Sequence, residues 1–462
     1  MKNDEKRPVG WLNQESTIIG KLLTYLILFA LSAALYAQGD GLPRGAYQMP
    51  YTRYESDNTS QSQAQARTDY DFVPDVAAAE ASTQHYLALV SDGDFAEWTV
   101  NEFADGVTLR FTIPDNSAGT GNQAALNVYV NGALDQTITL NSYWAFHYLN
   151  KFQGAQGGNV PNQGFSEVRM YFDDINFKLN SSLAPGSTIR LEKTGGSSFE
   201  YGIDFIEIEP IEVVKGPPAN YLSVTDAPYN ANGNDQVDDL AAFHACLADA
   251  NAQGKNMYIP PGKYYLNGQF KLNASNIKVQ GAGIWHTELF FSSDLAFSGG
   301  VKARADQLEF SDVHITTNNN DRFCPDNERI PGWNEPYKGY KGVFGTWGSY
   351  SVVRSVWVEH FETGMWFADY DWAVEGATQP DITNHMLVTN CRIRNNYADG
   401  VNFAEGSNNC TVEHTNIRNS GDDGFAVWSS DAFGHGTPGS NNTLQFSTVE
   451  NVWRAGGVAF HG

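Results

Sequence analysis

The sequence Ile393-Arg-Asn-Asn-Tyr-Ala-Asp-Gly-Val-Asn-Phe403 returns in altered form 24 residues later as Ile417-Arg-Asn-Ser-Gly-Asp-Asp-Gly-Phe-Ala-Val427. Repeats of about 20 to 50 residues are typical of solenoids, and short β-branched runs of this kind favour one coil of a parallel β-helix per repeat. The alignment places Asp399 over Asp423, with Asp422 as an extra carboxylate beside them. The repeat therefore predicts stacked coils that carry acidic side chains at one position.

These three aspartates are the candidate catalytic residues. Neighbouring coils lie one strand spacing apart, ~4.8 Å, so Asp399 and Asp423 are expected side by side with Asp422 next to them. Carboxylates this close repel one another, which drives their pKa values apart and lets one stay protonated while another is ionised. The preceding coil carries Thr363 at the same position. We therefore predict a glycosidase active site; the alternative is that the Asp-Gly pairs only form turns.

Composition and charge limit the partners. A chain of 462 residues is long enough for two or three domains. Its net charge of −24 argues against a nucleic-acid or anionic-membrane partner, and it disfavours a polyanionic substrate. The four cysteines have no zinc-binding spacing, so no metal site is expected. Cys391 and Cys410, which open neighbouring coils, are expected to point into the core.

The N-terminal region is predicted to direct secretion. Residues 22–35 form an apolar run that is short for a membrane span, so residues 1–38 are interpreted as a signal peptide, with a retained membrane anchor as the alternative. Residues 39–70 are polar and repetitive, which is typical of a linker.

Residues 71–214 consist of short alternating runs broken by Gly, Asn and Pro, which predicts an antiparallel β-sandwich. Tyr143 and Trp144 are candidate sugar contacts in this domain; the alternative for Trp144 is a core position. Further candidates near them are His147, Tyr148, Asp173 and Asp174.

Residues 215–219 are a short hinge before the second domain, residues 220–462. A helical pattern over Leu240–Ala252 and the strand pattern of 257–265 resemble the opening of pectate-lyase-superfamily β-helices, in which a helix covers the first coil. No sequence resembling a C-terminal cap follows the last coil pattern, so we expect the β-helix to be truncated at Gly462. Long insertions over 316–350 and 368–384 are expected to wall a cleft. The candidate substrate contacts are Trp366, Trp372, Asn402, Trp428 and His435.

Two resemblances extend this interpretation. The sandwich strands resemble carbohydrate-binding modules of families 6 and 35, which are small jelly rolls that often carry a structural calcium ion. The motifs Asn396–Gly400 and Asn419–Gly424, on a right-handed β-helix that follows such a sandwich, look like glycoside hydrolase family 87, the α-1,3-glucanases and mycodextranases. The resemblance implies an all-β enzyme that hydrolyses α-1,3 links of α-glucan with inversion, using three aspartates.

The expected roles follow from this layout. Asp399 and Asp423 would orient and deprotonate water, and Asp422, flanked by both charges, would donate the proton, although Asp422 and Asp423 can exchange roles. This chemistry needs no cofactor, and the chain is expected to act as a monomer. Two other interpretations stay open: a polygalacturonase-like hydrolase, and a non-catalytic carbohydrate-binding β-helix.

Overall fold

The computed structural model describes residues 49–71, 76–148, 159, 161, 168–292, 299–320, 322, 341–369, 376, 381–429 and 438–461. The chain is nearly all-β, which confirms the predicted class. The predicted signal peptide lies outside the described residues. Within the described ranges, no helix has the length and apolar character needed to cross a membrane.

The first domain consists of two antiparallel sheets and a small two-stranded ribbon. One sheet has the order β11-β6-β13-β4-β3, with β1 also paired to β13, and the other has the order β2-β5-β12-β7-β8. Its strands are β1 (Thr52–Glu55), β2 (Gln61–Ser62), β3 (Gln65–Thr68), β4 (His85–Leu89), β5 (Phe95–Thr99), β6 (Ala104–Thr112), β7 (Gln123–Val130), β8 (Ala133–Asn141), β9 (His147–Tyr148), β10 (Val168–Arg169), β11 (Asp173–Leu183), β12 (Thr188–Lys193) and β13 (Tyr201–Glu209). A 3-10 turn spans Ser56–Asn58, and the short helix α1 spans Ala77–Glu80.

The apolar side chains of the two sheets share one core, as a sandwich requires. Trp98 from one sheet and Phe111 from the other are both buried in it. The prediction that residues 39–70 are a linker is wrong for the described part of that range, because β1, β2 and β3 belong to the sheets. Tyr51 and Arg53 are buried there by partners far along the chain, which a local polar composition does not reveal.

The second domain consists of parallel strands in two long sheets, each strand pairing with its counterpart in the next coil. The strands are β14 (Tyr221–Ser223), β15 (Asn256–Ile259), β16 (Gly262–Leu266), β17 (Phe270–Leu272), β18 (Lys278–Gly281), β19 (Thr287–Phe291), β20 (Val301–Arg304), β21 (Glu309–Thr317), β22 (Lys341–Thr346), β23 (Val352–Glu359), β24 (Thr363–Phe367), β25 (Leu387–Thr389), β26 (Arg392–Asn396), β27 (Val401–Ala404), β28 (Thr411–Glu413), β29 (Asn416–Ser420), β30 (Phe425–Trp428), β31 (Thr443–Gln445), β32 (Thr448–Glu450) and β33 (Val458–His461). We call residues 221–461 the coil domain.

Helix α2 spans Leu240–Ala252, as predicted. Its buried residues Phe243 and Cys246 belong to the same apolar core as Met257 of the first coils. The helix therefore covers one end of the coil stack. Cys391 and Cys410 are buried in this core, which confirms that they point inwards.

A column of glycines sets the close spacing of the coils at the predicted acid position. A Cβ atom added to Gly364 would lie 2.7 Å from the carbonyl oxygen of Gly400, and one added to Gly400 would lie 2.5 Å from that of Gly424. Gly342 stands in the same relationship to Gly364, at 2.6 Å. Side chains are excluded at these points, so the residue before each glycine is brought to the same edge of the stack.

A buried charge cluster joins the two domains. The pattern Arg-Ile-Arg at 392–394 turns the isoleucine into the coil core and both arginines towards the sandwich. The cluster combines four arginines and four carboxylates: Arg53, Arg392, Arg394, Arg418, Asp174, Glu207, Glu209 and Glu450. Arg418 contacts two of these carboxylates at once, Asp174 at 2.5 Å and Glu207 at 2.7 Å. The arginines of the coil domain pair with carboxylates of the sandwich. Separating the domains would leave these buried charges without their partners, which is costly, so the cluster holds the two domains together.

Candidate active site

The strand register brings the three predicted aspartates together. Val401 pairs with Phe425, so Asp399 lies opposite Asp423 in the next coil, at the predicted offset. One carboxylate oxygen from each of Asp399, Asp422 and Asp423 lies within 4.8 Å of the other two. We call these residues the acid trio. Their convergence is the geometry that the repeat predicts.

Asp399 is buried and held through both of its carboxylate oxygens. It is 9% exposed, its Oδ1 accepts the backbone N–H of Asp423 at 3.1 Å, and its Oδ2 accepts Nδ2 of Asn402 at 2.8 Å. Burial, followed by the charge of Asp422, raises its pKa to about 7, although Asn402 and Arg322 act in the opposite direction. Asp399 is therefore protonated over much of the range below neutral pH.

Asp423 is held by two donors of the last coil. Its Oδ1 accepts the backbone N–H of Gly456 at 3.0 Å, and its Oδ2 lies 3.0 Å from Nε2 of His461. These contacts fix the position of the carboxylate beside Asp399. The sequence analysis did not identify His461, although it follows Trp428 by one coil in the strand register.

Asp422 is the most accessible of the three, with 27% of its side chain exposed, and it forms an ion pair with Arg322. Arg322 lies in the insertion that was predicted to wall the cleft. The expectation that Asp422 stands between two negative charges alone is therefore incomplete, because a guanidinium group also faces it.

A buried ion pair, missed by the sequence analysis, lies in the coils before the acid trio. Nζ of Lys341 donates to Oε2 of Glu362 at 2.8 Å, and both side chains are almost fully buried. The glycine column carries the signal that could have revealed it. Lys341 precedes Gly342 just as Asp399 precedes Gly400.

The outer face of the second long sheet forms an aromatic floor next to the acid trio. Trp366 is 5% exposed and packs with Phe344, while Trp428 is partly exposed and meets the ring of Trp366 edge-on at 6.1 Å. Asn402 follows Trp366 by one coil and contacts Asp399. The predicted residues Trp366, Asn402 and Trp428 therefore lie together, with Trp428 as the accessible aromatic ring.

Some predicted site residues cannot be placed. Trp372 and His435 lie outside the described residues, as do residues 323–340 of the insertion predicted over 316–350. Within the other predicted insertion, Asp369 is buried and its carboxylate accepts the backbone N–H of Asp381 at 2.8 Å.

The structure places the candidate sugar contacts of the sandwich next to the coil domain. Tyr143 donates its hydroxyl group to the carbonyl oxygen of Asn318 in the coil domain, at 2.9 Å. Trp144 stacks on the ring of His360 at 4.6 Å and accepts a hydrogen bond from Tyr397 through its carbonyl oxygen. Both side chains pack against the coil domain instead of lining a separate open surface.

The neighbouring candidates also serve the domain interface or the sandwich itself. His147 packs against Tyr397, Asp173 pairs with His360 at 2.9 Å, and Tyr148 donates its hydroxyl group to Asp115. Asp174 belongs to the buried charge cluster. Among these candidates, His147, Asp173 and Asp174 are therefore engaged by the coil domain.

The described residues contain one cluster of side chains that could hold a metal ion. Across the described ranges, the one group of three acidic, His or Cys side chains close enough to hold a cation is the acid trio itself. The described part of the sandwich offers no such group for the structural calcium ion that the module resemblance implied.

Three carboxylates that converge beside an aromatic floor form the kind of site with which glycoside hydrolases cleave sugar links. Comparison with known families agrees with this class. Residues 48–211 match the α-1,3-glucanase catalytic domain D1, and residues 236–462 match the α-1,3-glucanase catalytic domain D2. The chain belongs to the α-1,3-glucanase family of glycoside hydrolases. The sandwich thus corresponds to the first of two catalytic domains.

Solved structures show the same relationship. The Agl-KA catalytic domain is 42% identical with a TM-score of 0.81, and the match covers 90% of this chain and 70% of that chain. The catalytic unit of a thermostable GH87 α-1,3-glucanase from Streptomyces thermodiastaticus strain HF3-3 is 24% identical, with a TM-score of 0.69 and coverage of 90% and 66%. An aspartate-to-alanine variant of a GH87 α-1,3-glucanase catalytic domain, crystallised with tetrasaccharides, is 23% identical, with a TM-score of 0.73 and coverage of 91% and 68%. The chain therefore spans about two thirds of the length of these structures. No curated protein matches it.

Proposed function

We propose that this chain hydrolyses α-1,3-glucosidic bonds of α-glucan, with Asp399, Asp422 and Asp423 as the catalytic residues. The observation that carries the proposal is the convergence of one oxygen from each carboxylate within 4.8 Å. Family membership supports the substrate class, and related catalytic domains have been solved in complex with the oligosaccharides nigerose and tetrasaccharides.

The proposed reaction uses one shared proton. Cleavage of a glucosidic bond needs a protonated group at the leaving oxygen and an ionised group that deprotonates water. The trio is a coupled set, so its protons belong to the group rather than to single residues. The proton rests on Asp399, whose pKa is raised to about 7, and Asp423, held by the backbone N–H of Gly456, is the proposed base.

Two assignments of the proton donor follow from different observations. Asp422 is the most exposed member, so it is best placed to reach the leaving oxygen, with Asp399 and Asp423 holding the water. Asp399 is favoured as the donor by its raised pKa. We propose Asp422 as the donor: the shared proton passes from Asp399 through Asp422 to the leaving oxygen, Asp423 takes a proton from the attacking water, and transfer of that proton to Asp399 restores the starting state. A substrate whose leaving group needs no proton distinguishes the two assignments.

The stereochemical outcome is proposed as inversion. Inverting sites usually hold the acid and base about 6.5–9.5 Å apart, and retaining sites about 5–5.5 Å. The nearest oxygens of the acid trio lie within 4.8 Å of one another, which is shorter than either spacing, so inversion requires the attacking water to lie beside the trio and not between two of its members. NMR spectroscopy of the first product decides: a β-anomer from an α-linked oligosaccharide supports inversion, and an α-anomer contradicts it.

A polygalacturonase-like activity is less well supported. Such an enzyme needs a cation that binds the carboxylate of a uronate. Among the described residues, Lys341 and Arg322 lie near the acid trio, and both already pair with carboxylates of this chain, Lys341 with Glu362 and Arg322 with Asp422. Release of reducing sugar from insoluble α-1,3-glucan but not from polygalacturonate supports our proposal. The opposite preference overturns it, and inactivity on both favours the non-catalytic alternative.

Two further proposals complete the description. We propose that the sandwich is a jelly roll and that the coils wind to the right, as parallel crossover connections almost always do. We also propose secretion, on the basis of the apolar run over 22–35. N-terminal sequencing of the protein from a culture supernatant tests this second point, since a cleaved product must begin close to residue 39.

A further inference from the structure

The ion pair of Lys341 and Glu362 is sealed from water on several sides. Its two side chains are 2% and 1% exposed, and their polar atoms lie 2.8 Å apart. The hydroxyl group of Thr363 donates to the same Glu362 oxygen at 2.9 Å. The ring of Trp366 covers the ammonium group, whose Nζ lies 4.1 Å from the ring centroid.

This pair occupies the same two columns of the coil stack as the acid trio. Lys341 pairs with Thr363, which stands one coil before Asp399. In the adjacent column, the backbone N–H of Ala398 donates to the carbonyl oxygen of Glu362 at 2.5 Å, and that of Asp422 donates to the carbonyl oxygen of Ala398 at 3.2 Å. The pair therefore lies directly upstream of the three acids.

Such a pair is a poor way to gain stability. Removing two charges from water costs several kcal/mol per ion, and well-packed apolar residues usually serve a core equally well or better. In the coil next to each residue of the pair, the same columns carry the small residues Thr363 and Ala398, so the stack itself does not require a charged pair there. A buried pair beside an acidic site is thus better explained by an electrostatic effect on that site.

We propose that Lys341 and Glu362 are positioning residues, which act through Asp399 by setting how firmly it holds the shared proton. This inference rests on the proposed function, because it concerns the same acid trio. The two charges act in opposite directions: the negative charge of Glu362 favours a protonated Asp399, and the positive charge of Lys341 favours an ionised one.

The electrostatics of the site support this role. The charge of Glu362 contributes to the raised pKa of Asp399. The pKa of Lys341 is lowered by burial, and the charges of Glu362 and Asp399 offset only part of this effect. Lys341 and Asp399 therefore interact electrostatically, so a change in the charge of one alters the pKa of the other.

The test is an NMR titration of Asp399 in the full chain, whose aspartate carboxyl groups are labelled with ¹³C. The signal of Asp399 is assigned as the one that is lost in Asp399→Asn. Glu362→Gln is expected to lower the pKa of Asp399 by about one unit, because it removes a negative charge from the coil next to Asp399. Lys341→Met is expected to raise it, and the double variant to return it towards the wild-type value. The pH profile of kcat/KM on an α-1,3-linked tetrasaccharide should move in the same directions.

A matched control uses another Lys–Glu pair of the coil domain. Lys263 and Glu288 also lie 2.8 Å apart, but they are more exposed and belong to the other long sheet. Lys263→Met and Glu288→Gln should leave the titration of Asp399 unchanged. A pair with a merely structural role would lower Tm in the Lys341 and Glu362 variants without moving the titration, and that result overturns the inference.

The same experiment separates this inference from the proposed function. If the wild-type chain cleaves α-1,3-glucan and the two variants shift Asp399 in the same direction or not at all, only the positioning role fails. If the wild-type chain cleaves no α-glucan, the proposed function fails, while opposite shifts in the NMR titration still establish the electrostatic link between the pair and Asp399.

Discussion

The backbone N–H of Asp423 donates to Oδ1 of Asp399 across 3.1 Å, so two carboxylate-bearing residues of successive coils are tied together by a hydrogen bond. The bond fixes the position of Asp399 relative to the coil that carries Asp422 and Asp423. It depends on the glycines that follow Asp399 and Asp423, because only glycine permits this spacing. The acid trio is thus a property of the coil stack rather than of a loop.

The proton donor can be identified with a substrate that needs no protonation. A glucosyl fluoride with an α-1,3-linked glucose has a leaving group that departs unaided, so a variant lacking the donor should keep most of its turnover on this substrate. We expect Asp422→Asn to be rescued and Asp423→Asn to remain inactive. Rescue of Asp399→Asn instead would transfer the donor role to Asp399, in line with its raised pKa.

Replacement of Asp399 should increase stability at high pH. Its pKa is raised from 3.8 to about 7 in the folded chain, so the folded state holds a proton that the unfolded state has released between these values. The free energy of unfolding therefore falls as pH rises through this window and is lowest above pH 7. Asp399→Asn removes this loss, which amounts to at most about 4 kcal/mol.

Thermal unfolding at two pH values measures this effect. The Tm of Asp399→Asn should exceed that of the wild type at pH 8 and approach it at pH 4. Asp381→Asn, at a carboxylate whose side chain is 52% exposed, serves as the control and should show no such pH dependence. An equal Tm difference at both pH values would rule out a raised pKa at Asp399.

The charge cluster between the domains should be essential for stability. Arg418→Met leaves Asp174 and Glu207 buried beside one cation fewer, so we expect a loss of about 3–5 kcal/mol in the free energy of unfolding. Arg190→Met removes a partly exposed arginine that pairs with Glu97, and should cost about 1 kcal/mol or less. Urea denaturation of both variants checks this, and equal losses would contradict the role of the cluster.

The two tryptophans of the aromatic floor should behave differently. Trp428 is partly exposed and offers a ring on which a sugar can stack, so Trp428→Ala should raise KM about tenfold with little change in kcat. Trp366 is 5% exposed and packs below Lys341, so Trp366→Ala should instead lower the free energy of unfolding by about 3–5 kcal/mol. Steady-state kinetics with thermal unfolding distinguishes them; a normal KM in Trp428→Ala would exclude its ring from binding.

Features with a local signal could be predicted from the sequence. Helix α2 follows an apolar period within Leu240–Ala252, and the register of Asp399 with Asp423 follows from the 24-residue repeat. In both cases the residues that define the feature are near one another in the chain or recur at a fixed interval.

Features created by distant contacts could not be predicted in this way. Arg418 meets Glu207 across 211 residues of sequence, and Trp144 stacks on His360 of the other domain. A polar stretch such as Gln65–Thr68 becomes a strand because a sheet edge is available, not because of its composition. The ion pair of Lys341 and Glu362 combines both situations. Lys341 precedes a glycine of the repeating column, which is visible in the sequence, whereas its contact with Glu362 is visible only in the structure.

The most direct test of the proposed mechanism is the initial rate of cleavage of an α-1,3-linked tetrasaccharide by the purified chain and by Asp399→Asn, Asp422→Asn and Asp423→Asn, with folding verified by circular dichroism. Glu413→Gln, at a partly exposed carboxylate on the other long sheet, serves as the control. We predict that the wild type and the control cleave the substrate, and that each aspartate variant loses about 10²–10⁴-fold in kcat while remaining folded. Cleavage at close to the wild-type rate by any of the three aspartate variants would contradict the shared role of the acid trio.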